Sequence, residues 1–419
     1  MVQGSYHGWR VVLVAFLLAF FAWALGFYGP GIYLAALRDL HGWSIASISS
    51  AITLYYLAGG VAILSLGSLM ERFGQRRVVA AGTLIMAAGV SSLGLAAEPW
   101  HVYAGFLVMS LGWACMSGAA VNAIIAVWFD RRRGLAVSLA LNGASFGGVA
   151  GAPLLIMLIE AAGFATAVLV VSTAAVLTLV PAVALVLRPP QPRELEVECR
   201  EVAASERAAM EIPWQGGKVF ASARFQTVAV PFALGLFAQV GFLTHQVAFL
   251  SPRIGVAAAG WAVSLTTTAA IAGRLGTGLF VDRIDPRTAA CGNFLVQSAG
   301  LILLLAVDAR WALYTGCLLV GLGVGNLISL PPLVVQREFP AAHFARVVGM
   351  MVGFNQFAFA FGPGGLGILR DWSGSYDAVL MVCLGLEILA AAIVLRRPKP
   401  GVDTDRGVHE ECARSRLNG

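Results

Sequence analysis

The chain has 419 residues, of which 58% are hydrophobic and only 12% are charged, with a mean hydropathy of +0.80. Soluble domains carry about 25% charged residues, so this composition excludes a soluble protein and leaves no room for a soluble domain of any size. The net charge of +6 does not indicate nucleic-acid binding, because the basic residues fall in short breaks between apolar runs.

Twelve apolar runs of about 20 to 25 residues follow one another, and this length matches a bilayer core of roughly 30 Å. The run from Val11 to Leu25 could imitate a signal peptide, but it continues through Tyr33 without a cleavage site. We therefore interpret it as the first membrane span. The first six predicted spans are 9–33, 45–69, 78–96, 102–127, 134–158 and 164–187.

A polar segment of mixed charge, residues 188–224, separates these spans from a second set of six. It is the only long loop and is expected to be a cytoplasmic linker with room for a short surface helix. The predicted domains are thus an N-terminal six-helix bundle (1–187), the linker, a C-terminal bundle (225–396) and a cytoplasmic tail (397–419). The second six predicted spans are 227–250, 260–280, 288–307, 311–335, 347–369 and 376–395.

The distribution of basic residues predicts the orientation. If both termini are cytoplasmic, 23 of the 28 lysines and arginines fall inside and four fall outside, and Arg274 remains within a span. This bias follows the positive-inside rule. The compact loops favour a bacterial inner-membrane protein. The arginines of the inward loops between spans are Arg72, Arg76, Arg77, Arg131, Arg132, Arg133, Arg283, Arg287, Arg337 and Arg346.

The two halves repeat each other. The pattern Gly-x3-acid-Arg follows the second span at residues 67–72 and the eighth at 278–283, displaced by 211 positions. The pattern Arg-x8-Asn opens the fifth span at 133–142 and the eleventh at 346–355, displaced by 213. Duplicated six-helix units are typical of one large transporter architecture.

With these motifs the whole chain resembles the major facilitator superfamily. Residues 67–77 (GSLMERFGQRR) resemble its loop between helices two and three, and residues 143–153 (GASFGGVAGAP) the glycine-rich fifth helix of its antiporters. Residues 7–12 (HGWRVV), residues 128–136 (WFDRRRGLA) and an arginine in helix eight are similar to the monocarboxylate porter and oxalate–formate branch. The resemblance implies that helices 1, 4, 7 and 10 line a central path.

Arg274 is the strongest candidate for binding a ligand. An arginine at bilayer depth costs roughly 2.5 to 3.5 kcal/mol, so it is expected to face water, a partner or a ligand. Neither residue one turn away, Ala270 or Gly278, is acidic. Many monocarboxylate porters have an aspartate where this chain has Ala270, and a lysine where Gly31 follows Pro30. A carboxylate substrate is therefore predicted, but the family's proton-handling pair is missing.

Other polar residues within the spans are candidates to contact substrate, although an interhelical hydrogen bond explains each of them equally well. His245 and Glu387 are the candidates for proton coupling, since each can titrate inside a span. Alternatively, the anion itself carries the proton, or one anion exchanges for another. The predicted substrate-binding residues are Arg274, Tyr28, Tyr33, Asn122, Gln239, His245, Asn326, Asn355 and Gln356.

The charged loops at the cytoplasmic side are predicted to act as a gate. Their acidic and basic residues can form ion pairs when the inner side is shut, and glycines let helices approach closely. The alternative is that these charges only anchor the helix ends at the lipid surface. The predicted gating residues are Gly67, Glu71, Arg72, Arg133, Gly278, Asp282, Arg283 and Arg346.

The leading hypothesis is thus an all-α secondary transporter that moves a small organic anion by alternating access, by symport or antiport, as a monomer without cofactors. A carrier of a larger neutral or aromatic solute, such as the vitamin riboflavin or an exported metabolite or drug, is the main alternative. A membrane sensor without turnover is a distant one. Nucleotide-binding GxxxxGK[ST] and metal-binding HExxH motifs are missing from the sequence, and its six cysteines form no CxxC, so neither an enzyme nor a primary pump is expected.

Overall fold

The structure consists of helices. A computed structural model describes residues 7–129, 132–188, 216–280, 283–339 and 343–397, and these ranges contain no strand. The first half of the chain folds into six long helices that cross the molecule in alternating directions. They are α1 (His7–His41), α2 (Ile45–Leu64), α3 (Gln75–Leu93), α4 (Pro99–Ala126), α5 (Gly134–Ala162) and α6 (Phe164–Val186).

Six further helices follow in the second half, so the predicted all-α fold of two six-helix bundles is confirmed. Two short helices, Leu66–Phe73 and Gly216–Ala221, lie outside the bundles, and the second of them is in the linker. The helices of the second bundle are α7 (Ala223–Ile254), α8 (Val256–Phe280), α9 (Pro286–Ala306), α10 (Arg310–Glu338), α11 (Phe344–Ala360 and Gly362–Ser373) and α12 (Tyr376–Val394).

Helix α11 is broken into two segments. In the described ranges, eleven helices are long and apolar enough to span a membrane, and α11 is not among them because its two segments have 17 and 12 residues. The break falls at Phe361, just before Gly362 and Pro363. A proline inside a helix lacks one backbone donor and clashes with the preceding turn.

Two π-helical turns face each other inside the first bundle. Residues Ala24–Tyr28 of α1 and Gly147–Gly151 of α5 each form such a turn. A Cβ atom placed on Gly151 would lie 2.7 Å from the Cβ of Ala24, so the glycine lets the two turns touch. Turns of this kind occur frequently at functional sites. Here the turn in α1 ends on Tyr28, at the boundary with the second bundle.

The bundles meet along α2 and α11. We call the end of the molecule where α1 begins and α12 finishes the terminal end, and the other the opposite end. Starting from the opposite end, successive residues of α2 contact successive residues of α11 in antiparallel register. These contacts pair Ala46 with Asp371, Ser49 with Gly367, Thr53 with Gly364, Tyr56 with Phe359, and Gly60 with Gln356.

Beyond Gly60 the two helices separate. Leu64 continues the same face of α2, and Val352 continues the same face of α11, because each lies one turn further along. Leu64 is nevertheless 84% exposed and Val352 is 58% exposed. The bundles are therefore packed together at the opposite end and apart at the terminal end.

Helices α5 and α8 form the second contact between the bundles and follow the same pattern. Near the opposite end, Ile156 of α5 packs on Gly260 of α8. One turn further in, Ser264 donates a hydrogen bond of 2.8 Å to the carbonyl of Val149. The contact continues as far as Thr267, which packs on Gly148. The space between the bundles thus opens towards the terminal end, below Thr267.

A buried arginine, Arg287, connects several helices of the second bundle at the terminal end through hydrogen bonds. Arg287 is only 1% exposed, and its guanidinium donates to both carboxylate oxygens of Glu338 in α10. It also donates to the backbone carbonyl and the hydroxyl of Thr227 in α7, and to the carbonyls of Val394 and Arg396 at the end of α12. The expectation that Arg287 is a loop charge is therefore wrong.

Candidate anion-binding site between the bundles

Arg274 lies on the face of α8 that points to the first bundle. It follows Thr267 by seven residues, about two helical turns, so the two side chains share one face. Thr267 contacts Gly148 of the first bundle, which fixes the direction of that face. The exposed side chains of Trp261 and Leu275 lie on a different face of α8. Arg274 is itself exposed, and on this face its exposure is to the space between the bundles.

Tyr28 brings the first bundle to this site. A Cβ atom on Gly148 would lie 2.5 Å from the hydroxyl oxygen of Thr267 and 2.6 Å from Cζ of Tyr28, so the two side chains meet over this glycine. The Tyr28 side chain lies beside Thr267, and its hydroxyl is close enough to Arg274 for the positive charge to act on it. Arg274, Tyr28 and Thr267, which we call the Arg274 site, thus combine one cation and two hydroxyls.

The guanidinium of Arg274 is available to a ligand. Within the described ranges, no carboxylate lies within 4.0 Å of it and no hydrogen bond to it is formed. Gly325 of α10 packs against Arg274, since a Cβ atom at position 325 would lie 3.0 Å from the Nε of Arg274. A planar guanidinium presents two parallel donors that match a carboxylate. The arrangement can bind an anion between the guanidinium and the Tyr28 hydroxyl.

Side-chain amides surround Gly323, two residues before Gly325. Asn326 of α10 donates a hydrogen bond of 3.0 Å to the side-chain oxygen of Asn293 in α9. Gln297 of α9 packs directly on Gly323, and its Nε2 has no partner in the described part of the chain. Asn293 and Gln297 are both buried, and neither was predicted as a site residue from the sequence. Their spacing of four residues was the available signal.

Aromatic side chains of the first bundle lie near Tyr28. The Phe27 ring packs edge-on against Tyr28 with centroids 5.2 Å apart, and Trp23 lies 5.1 Å from Trp113. Trp23, Phe27 and Tyr28 are only partly buried. The first-bundle wall beside the Arg274 site is therefore aromatic rather than aliphatic.

Two predicted site residues lie away from Arg274. Tyr33 is 0% exposed and packs edge-on against Phe164 of α6, and its hydroxyl has no hydrogen-bond partner among the described residues. His245 is 2% exposed inside the second bundle. Its Nε2 lies 2.9 Å from the carbonyl oxygen of Pro363 in α11, and its Nδ1 lies 3.4 Å from the hydroxyl of Tyr376 in α12.

The remaining polar candidates are scattered over both bundles. Asn122 is half-buried and donates to the carbonyl of Gly118 within its own helix, at 2.7 Å. Gln356 packs against Gly60 at the boundary of the bundles. Gln239, Asn355 and Glu387 are buried, each with one side-chain oxygen that has no partner in the described ranges.

The predicted gating residues are apart in this structure, as far as it describes them. Glu71, Arg72 and Arg283 are exposed at the terminal end, and the described ranges show no ion pair of Glu71. Gly67 has open space around it, and Arg346 is exposed but engaged in an interaction. Asp282, the side chain of Arg133 and the surroundings of Gly278 lie outside the described residues.

Comparison with known proteins decides the family. The model of the Major Facilitator Superfamily matches residues 11–363 and 219–416, which together cover nearly the whole chain. The chain belongs to the major facilitator superfamily. The resemblance inferred from the sequence motifs is therefore confirmed, and the protein is a transporter-family member with multiple membrane spans.

Curated relatives within the superfamily are similar over most of their length. The chain is 25% identical over 364 residues to MFS-type transporter 1 from Ophiocordyceps sp. (strain BCC 1869), covering 84% of this chain and 76% of that one. It is 26% identical over 351 residues to monocarboxylate transporter 11 from Homo sapiens, covering 79% of this chain and 70% of that one. The relatives therefore include a protein of the monocarboxylate branch.

Solved structures show the same superfamily fold. The nucleoside transporter NupG superposes with a TM-score of 0.74 at 13% identity, covering 94% of this chain and 100% of that one. A bacterial homologue of the human lysosomal transporter Spinster, in its inward-facing and occupied conformation, superposes with a TM-score of 0.68 at 13% identity. The superposition covers 93% of this chain and 96% of that one. At such identities the likeness concerns the fold alone.

Proposed function

We propose that this protein is a secondary transporter that moves a small organic anion of the monocarboxylate type across the membrane. The observation that supports the proposal is Arg274, which faces the space between the bundles without an acidic partner in the described ranges. The guanidinium binds the carboxylate, and the hydroxyl of Tyr28 donates to one of its oxygens, while Thr267, whose own proton is donated to the Val263 carbonyl, positions Tyr28. The similarity to monocarboxylate transporter 11 supports the same substrate class.

The protein has a defined orientation in the membrane and a transport cycle of two alternating forms. The terminal end faces the cytoplasm, in keeping with the positive-inside rule, and the protein lies in the plasma membrane with the linker inside. Transport alternates the exposure of the Arg274 site as a monomer rocks its two bundles. When the terminal end closes, the acidic side chains Glu71 and Asp282 pair with the loop arginines and stabilise the outward-facing form.

His245 is the proposed proton carrier, with Glu387 as the alternative. His245 bonds to the Pro363 carbonyl, and the amide of the next residue, Gly364, bonds to Thr53 of the first bundle. A change in the charge of His245 therefore acts next to a contact between the bundles. The other titratable or charged groups that act on His245 are Tyr376, which contacts it, and Arg370 and Asp371 at longer range.

The second candidate function is transport of a larger aromatic solute. The rings of Trp23, Phe27 and Trp113 beside Tyr28 favour it, because a flat solute stacks on aromatic faces. Such a solute does not require a charge opposite Arg274. Riboflavin, which is aromatic and uncharged in its ring system, is a suitable probe for this alternative.

Uptake into proteoliposomes tests the proposed function. Labelled lactate, benzoate, lactamide and riboflavin are offered to the purified protein with and without an inward proton gradient. We expect saturable uptake of a carboxylate, stimulated by the gradient, and no uptake of the amide. Uptake of riboflavin alone would establish the second candidate. Ligand binding without uptake or exchange of any solute would indicate a sensor and contradict transport.

A further inference from the structure

An acidic side chain of the second bundle caps a helix of the first. Asp371, near the end of α11, accepts a hydrogen bond of 2.7 Å through Oδ2 from the backbone amide of Ala46. Ala46 is the second residue of α2, where amides have no partner within the helix. The other carboxylate oxygen accepts from Nη1 of Arg370 at 3.2 Å, which orients the group. A negative charge at this position also stabilises the helix dipole.

A hydroxyl of the first bundle caps a helix of the second in return. Thr53 of α2 accepts a hydrogen bond of 2.9 Å from the backbone amide of Gly364. Gly364 is the third residue of the outer segment of α11, which starts anew after the break at Phe361. Its amide is therefore one of the donors that a helix start leaves without a partner. The break in α11 creates the donor that Thr53 satisfies.

From these two contacts we infer that Thr53 and Asp371 form a reciprocal capping gate that stabilises the closed opposite end. Separation of the bundles at this end breaks both hydrogen bonds at once. The amides of Ala46 and Gly364 then have to be hydrated instead. The capping gate thus favours the form that opens at the terminal end. The inference rests on the alternating exposure proposed above but not on the nature of the solute.

The first bundle contains a matched control on the same helix. Ser44 is the N-cap of α2 and accepts a hydrogen bond of 3.1 Å from the amide of Ser47. This bond lies within one bundle and survives any movement between bundles. Ser44→Ala therefore weakens the start of α2 without acting on the gate.

Distances between spin labels test the capping gate. One label pair, at the exposed residues Leu40 and Trp372, spans the opposite end, and a second, at Leu64 and Val352, spans the terminal end. Both pairs are placed by cysteine substitution in a chain whose six native cysteines are replaced by alanine. Pulsed double electron–electron resonance then gives the populations of the two forms for each variant.

For Thr53→Val, which keeps the side-chain shape, we expect the ratio of outward-open to inward-open protein to rise about fivefold, as the loss of one neutral hydrogen bond implies. For Asp371→Ala we expect the same ratio to rise about tenfold or more, since a charged hydrogen-bond acceptor is lost. The pair at 40 and 372 should lengthen while the pair at 64 and 352 shortens.

Unchanged distance distributions in folded, monodisperse Thr53→Val would overturn the inference, whether or not Asp371→Ala folds. An equal shift in Ser44→Ala would also overturn it, because helix stability rather than the gate would then set the ratio. Neither result touches the anion assignment, which depends on uptake by the wild type and by variants of Arg274.

Discussion

Gly325 of α10 and Arg274 of α8 are in direct contact across the second bundle. A Cβ atom at position 325 would lie 3.0 Å from the Arg274 Nε and 2.7 Å from the carbonyl oxygen of Ala270, one turn earlier in α8. The guanidinium can move, but the backbone carbonyl cannot move without shifting the helix. The glycine therefore fixes the separation of α8 and α10, and with it the position of the guanidinium.

Gly325→Ala should consequently impair transport without changing any group that touches the substrate. We expect uptake of the transported anion to fall about tenfold, since a displacement of about 1 Å in a binding group can cost that much or more. The measurement is the initial rate of uptake into proteoliposomes. Gly276→Ala, on the same helix as Arg274 but with open space at its Cβ, is the control and should keep the wild-type rate. Equal rates for both variants would contradict this role of Gly325.

Two tyrosines of α1 should differ in their effect. Tyr28→Phe removes a hydroxyl from the Arg274 site and should raise the KM for the anion about fivefold to tenfold, as expected for one lost hydrogen bond. Tyr33→Phe removes a buried hydroxyl that has no partner in the described ranges, so uptake and thermal stability should remain at or above the wild-type level. A loss of uptake in Tyr33→Phe, with Tyr28→Phe unaffected, would reverse the assignment.

The fold could be predicted from the sequence because a bilayer imposes one length on every span and the loop arginines mark one side. The departures have local causes. Helix α1 runs to His41, eight residues past the predicted end at Tyr33. Hydropathy detects only its apolar part, while the helix continues through Arg38 to a left-handed Gly42 with φ of 68°.

The site could be predicted only in part. Arg274 stands out because an isolated charge in an apolar run is costly, but the sequence does not say which hydroxyls meet it. Thr267 gives no signal, since threonine is common in spans. Arg287 lies beside a turn and therefore looks like a surface charge, although three helices enclose it. The bond between Thr53 and Gly364 joins positions 311 residues apart, which no local pattern encodes.

Removal of Arg287 should destabilise the second bundle. Arg287→Gln leaves the Glu338 carboxylate without its partner, and breaking a buried pair in this way costs about 3 to 5 kcal/mol. We expect a clear fall in Tm of the detergent-solubilised protein, measured by intrinsic fluorescence. Arg337→Gln, at an exposed neighbouring position, is the control and should leave Tm unchanged. A wild-type Tm for Arg287→Gln would refute the stabilising role of this arginine.

His245→Gln tests the proposed proton coupling. Glutamine can still hydrogen-bond to the Pro363 carbonyl but does not titrate, so the dependence of uptake on pH should become flat. Initial rates at several pH values on the outer side give the profile. Glu387→Gln is the parallel variant and should retain the wild-type profile. A flat pH profile of uptake in Glu387→Gln, with a wild-type profile in His245→Gln, would assign the proton coupling to the Glu387 carboxyl instead.

The most direct test of the account is uptake of the transported carboxylate by Arg274→Ala. With equal amounts of folded protein in the liposomes, we predict a loss of at least about a hundredfold, as expected when a charge-assisted bidentate contact is removed. Arg274→Lys should restore a small part of the rate, and the exposed Arg310→Ala should behave as the wild type. Wild-type uptake of the carboxylate by Arg274→Ala would contradict the assignment of Arg274 as the anion-binding residue.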